Sequence, residues 1–143
     1  HDQIHSIWKE LLEENLITEI EYRNGTIQNF YKSPEEFTSP LTNEDSAAYK
    51  NGLRLLKERT VYVKCPYKEK WRKTQNTEEF SIGLMETIRS WSKHSFVAAL
   101  DENNPRNVNP VDILFDRLTS RIKSDPENWS LDYVEHHLMM EKV

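Results

Sequence analysis

The chain has 143 residues, 36% of them hydrophobic and 30% charged, with a net charge of −5. That length suits one hydrophobic core, and the mild acidity excludes bulk electrostatic binding of nucleic acid, so any cationic footprint has to be local. Three glycines and six prolines exclude fibrous, linker-like or disordered character, and no apolar run is long enough for a membrane span.

In chain order, the opening HDQIHSIWKELL has neither a basic start nor a continuous apolar stretch, so it is not read as a signal peptide. Ile4, Ile7, Trp8, Leu11 and Leu12 recur at helical spacing, which predicts an amphipathic helix over 3–15. Residues 17–32 read as a β-hairpin about Asn24-Gly25, because that pair suits a type I′ turn. In this reading Phe30 falls on the polar face, as a side chain covered by something else. Ser33-Pro34-Glu35-Glu36 is a helix start: a capping serine, proline at the first helical position, and a glutamate placed to reach back. Pro40 is expected to cut this helix short.

Tyr49, Leu53 and Leu56 predict a further helix over about 44–58. Val61, Val63 and Cys65 alternate with Tyr62 and Lys64, which predicts a strand over 60–65 stopped by Pro66. Cys65 is the single cysteine, so an internal disulfide is excluded and an intracellular setting, cytoplasm or nucleus, is expected. Leu84, Met85, Ile88 and Trp91 mark a long helix over about 77–92, and 95–100 continues it or restarts after a bend. Asn109-Pro110 opens the next helix, Val111, Leu114, Phe115, Leu118 and Ile122 form its stripe, and Asp125-Pro126 ends it. Ser130 is placed to cap a final helix over 131–142, with Leu131, Val134 and Leu138 facing inward.

The predicted fold is therefore α+β and mainly helical, with five or six helices and a small antiparallel sheet built on the 17–32 hairpin plus the 60–65 strand. It is expected to be one domain, 1–143, excised from a longer protein. Helix 3–15 with its hairpin resembles the helix-and-wing portion of winged-helix domains, but its exposed side is acidic. Residues 128–142, NWSLDYVEHHLMMEK, resemble the end of a copia-type retroelement capsid region, although the hairpin has no place in that fold. Neither resemblance enters the functional reading.

The middle third carries a net charge of +3 over 60–100, against −4 on either side. Lys64, Lys68, Lys70, Arg72 and Lys73 lie within ten residues, offset only by Glu69 and interleaved with Tyr62, Tyr67 and Trp71. Cations with aromatics suit a single-stranded nucleic acid, or an acidic or extended protein segment. The structural alternative is a solvated loop whose lysine stems cover core edges while the rings pack inward.

Other chemistry finds little support. His136, His137 and Glu141 lack further partners at ligand spacing, so surface histidines are expected and no metal or other cofactor. Cys65 has no flanking nucleophile signature. Gly25, Gly52 and Gly83 are too isolated for a phosphate-binding loop or a nucleophile elbow. The expectation is a non-catalytic protein-interaction (adaptor) domain, using Phe30, Tyr62, Tyr67, Lys68, Lys70, Trp71, Arg72 and Lys73, with no membrane role. The alternative is a small RNA- or single-stranded-DNA-binding domain using 64–73. Aromatics and arginine are favoured interface anchors, which is why these residues are singled out.

Overall fold

A computed structural model describes residues 2–27 and 31–143. Among the described residues the chain is mainly helical α+β, with seven α-helices and one two-stranded antiparallel sheet. It divides into two compact units, His1–Gln28 with Pro66–Leu131, and Asn29–Cys65 with Asp132–Val143. No described helix is long and apolar enough to cross a membrane.

The first unit holds α1 (Asp2–Glu13), α2 (Glu19–Asn24), α5 (Pro66–Thr74), α6 (Thr77–Ala99), α7 (Pro110–Ser124) and a 3-10 turn, Pro126–Asn128. The predicted stripes of α1 and α7 meet as its core with Leu84 and Ile88 of α6, but the buried face of α6 continues through Phe80 and Phe96, and Trp91, expected to face inward, is 42% exposed. Ile7, Trp8, Leu11, Leu84, Phe96, Leu114, Phe115 and Leu118 are all buried, each contributing roughly 1.5–3 kcal/mol. Trp8 and Phe96 pack with ring centroids 4.8 Å apart. Arg117 holds Glu14 through two bonds of 2.7 and 2.6 Å, a bidentate fit that fixes α7 against the end of α1. That guanidinium keeps the Glu14 carboxyl below its ordinary range. Arg121 reaches Gln3 and Glu10 beside it.

The predicted 17–32 hairpin is not formed. Residues 19–24 are α2, because Thr18 and Glu21 make a capping box. Thr18 Oγ1 accepts from the Glu21 amide at 3.2 Å, and Glu21 Oε2 accepts from the Thr18 amide at 2.8 Å. Asn24-Gly25 ends a helix instead of turning a hairpin. The rest of the expected second strand includes Gln28, Asn29 and Phe30, which lie outside the described residues.

The second unit holds α3 (Pro34–Thr42), α4 (Ala47–Lys50), β1 (Leu53–Val63) and β2 (Tyr133–Lys142). The cap at Ser33 forms as expected, and α3 runs past Pro40 to Thr42. The helix expected over 44–58 is only the single turn of α4. Gly52 adopts a positive φ of 86°, a conformation that favours glycine and closes the turn. The chain then extends as β1, so the 60–65 strand is the end of a longer one that stops at Val63. The final helix expected over 131–142 is β2. It pairs antiparallel with β1, with Tyr62 opposite Val134, Thr60 opposite His136 and Leu53 opposite Lys142, and a bulge between Leu55 and Lys57. Helices α3 and α4 pack on β1. His136 shares a 3.0 Å hydrogen bond with Thr60 Oγ1, and its ring centroid lies 6.1 Å from that of Phe37.

Candidate interaction groove between α5 and α6

Helix α5 forms because two of its side chains face the core. Trp71 is buried, stacks on Phe80 with centroids 5.7 Å apart, and donates its indole N–H to Thr77 Oγ1 at 3.2 Å. Lys68 is also buried. Its Nζ donates to the carbonyls of Pro126 and Glu127, both at 2.7 Å, and sits 4.3 Å from the Trp71 ring centroid. A charged ammonium is tolerated there because those carbonyls replace its water and the ring face attracts it.

Tyr67 is half-buried against α6. Its hydroxyl accepts from Thr87 Oγ1 at 3.1 Å. The ring crowds Gly83, where a Cβ would approach Cδ1 and Cε1 to 2.7 Å, so any larger residue there has to displace it. Lys70 is exposed and paired with Glu79, and Arg72 is exposed and paired with Glu69 at 2.8 Å. Lys73 is exposed.

The segment 64–73 is thus not one cationic-aromatic surface. Lys68 and Trp71 belong to the core of the helical unit, while Lys70 and Arg72 have acidic neighbours. Tyr62 lies in the second unit, 79% exposed on β1, and Phe30 is outside the described residues. The stem-covering, ring-inward alternative therefore describes Lys68 and Trp71.

What α5 and α6 create together is a groove of about 570 Å³. Buried Trp71 and Phe80 underlie it. Tyr67 and the 39% exposed Ile82 give it an apolar wall. Glu78, Ile82 and Glu86 form one row along α6, four residues apart, and Lys70 and Thr74 form the facing row on α5. The rim is therefore acidic on one side, with Glu78 bonded to Lys123 at 2.6 Å. Ile82 and Glu86 were not singled out from the sequence, and Gly83 only as too isolated for a phosphate-binding loop. The legible signal was the Glu78–Ile82–Glu86 spacing, an apolar residue interrupting an acidic outer row.

Among the described residues no group of three or more His, Cys, Asp or Glu side chains could hold a metal ion. A scan against protein-family models finds no match, and a search of curated proteins finds none either.

Proposed function

We propose that this chain is a non-catalytic protein-interaction module that docks a segment of another protein in the α5–α6 groove. The observation that carries this reading is the groove itself: an accessible apolar wall, Tyr67 and Ile82, on two helices held together by buried Trp71 against Phe80 and Thr77. A rigid apolar cleft bordered by charge is what a partner's anchor side chain requires. Glu86, exposed at the end of the acidic row, favours a segment with a bulky apolar residue beside Lys or Arg, not an acidic one. An intracellular setting is proposed with it, on the strength of the single cysteine.

Selection of random peptides against the full chain tests the reading. Apolar-basic peptides are expected, and Ile82→Lys and Glu86→Lys should each weaken them about tenfold or more while the helical circular dichroism is unchanged. Peptides indifferent to both changes would remove the groove from consideration.

The nucleic-acid reading draws only on Lys64 and Lys73, together with the already paired Lys70 and Arg72. A salt titration with a short oligonucleotide separates the two, since phosphate neutralisation produces a steep loss of affinity with salt. For the groove reading, no oligonucleotide binding at low salt is expected.

A further inference from the structure

We infer that the outer edge of β2 is a self-association surface, pairing with β2 of a second copy to make a four-stranded antiparallel sheet. Among the described residues β1 and β2 pair only with each other, so each leaves one edge of backbone N–H and C=O groups unpaired by a strand. A two-stranded ribbon is marginal in water and gains stability from added strands. Unsatisfied strand edges are ready templates for pairing.

The two edges differ. β1 carries Lys57, Glu58 and Arg59 in mid-strand. Pairing β1 with itself about any of these positions sets like charges opposite one another, which is how edges are guarded against association. β2 carries Leu138, Met139 and Met140 in mid-strand, with Met139 59% and Met140 50% exposed.

Symmetry then selects the register. A two-fold axis through an antiparallel pair keeps each side chain on its own face, so one residue must oppose its own copy. Centring on Leu138 sets Glu135 against Glu141. Centring on Met140 sets Met139 against Glu141 and Leu138 against Lys142. Centring on Met139 sets Leu138 against Met140 and His137 against Glu141. Only this last register joins apolar to apolar in the middle and places a histidine opposite a carboxylate beside it. His137 already bonds to Glu135 at 2.9 Å on the same face, so a second carboxylate meets an imidazole oriented toward acid.

The test uses the full chain. Sedimentation over a concentration series is expected to show the apparent mass rising from monomer to dimer, and Met139→Lys is expected to remain monomeric with an unchanged circular dichroism spectrum. In a Cys65→Ala background, Met139→Cys is expected to form an intermolecular disulfide under mild oxidation. Leu138→Cys and Met140→Cys should cross-link when mixed but not alone. A wild type that stays monomeric throughout overturns the proposal, as does a Met139→Lys protein that still dimerises. Cross-linking by Met140→Cys alone overturns the register and with it the argument. These outcomes are independent of peptide binding in the α5–α6 groove.

Discussion

Glu21→Ala is expected to cost about 3–5 kcal/mol of folding stability, because it leaves a buried partner uncompensated. The Glu21 side chain is only 2% exposed and serves two elements at once. One carboxylate oxygen caps α2 through the Thr18 amide. The other accepts from the Asp101 amide at 2.8 Å and from the Arg106 guanidinium, tying the 101–109 loop to α2.

Burial by itself pushes this carboxyl up. The Thr18 amide, the Arg106 guanidinium and the Asp101 amide outweigh that and hold it at about 2, against an ordinary 4.5. Because the folded state binds the proton more weakly than the unfolded chain, the stabilisation is complete above about pH 5. It is lost as pH falls toward 2, by on the order of 3 kcal/mol. Urea unfolding at pH 7 and pH 3 should therefore show wild type losing more stability than Glu21→Gln, which starts lower and has no such carboxylate to protonate. Equal losses in the two proteins would show that this contact does not carry the acid sensitivity.

Trp71→Ala is expected to cost about 3–5 kcal/mol as well, by opening a cavity under α5 and exposing the Lys68 ammonium's aromatic seat. Equilibrium denaturation provides the measurement, with Trp71→Phe retaining most of the stability because the contact with Phe80 survives in part. An unchanged unfolding midpoint for Trp71→Ala would mean that the ring is not part of the core. The consequence for the proposed docking in the groove is direct. Loss of partner binding in Trp71→Ala reports collapse of the groove's floor, whereas Ile82→Lys changes the wall of a folded groove.

The first of these contacts shows where reading the chain alone falls short. Thr18 and Glu21 have the spacing of a capping box, a local signal as plain as the Asn24-Gly25 pair that competed with it. What separates them is Arg106, far away in sequence, whose charge makes the buried carboxylate worth keeping and so commits 19–24 to helix. The cationic run 64–73 presents the same difficulty. Sequence proximity made one patch of it, yet helical geometry turns Lys68 and Trp71 inward and Lys70, Arg72 and Lys73 outward.

The amino-acid sequence alone determined the helical stripes of α1 and α7, the existence of the long helix α6, the caps at Ser33 and Asn109, and the mainly helical α+β class. Those depend on interactions within a few residues, repeated at a period that identifies the buried face. Only the tertiary structure decided that 133–142 is a strand and that 53–63 is its partner. Leu131, Val134 and Leu138 satisfy a helical spacing, while Val134, His136, Leu138 and Met140 equally satisfy a strand's alternation. A strand is settled by hydrogen bonds to a distant segment, and no local pattern contains that segment.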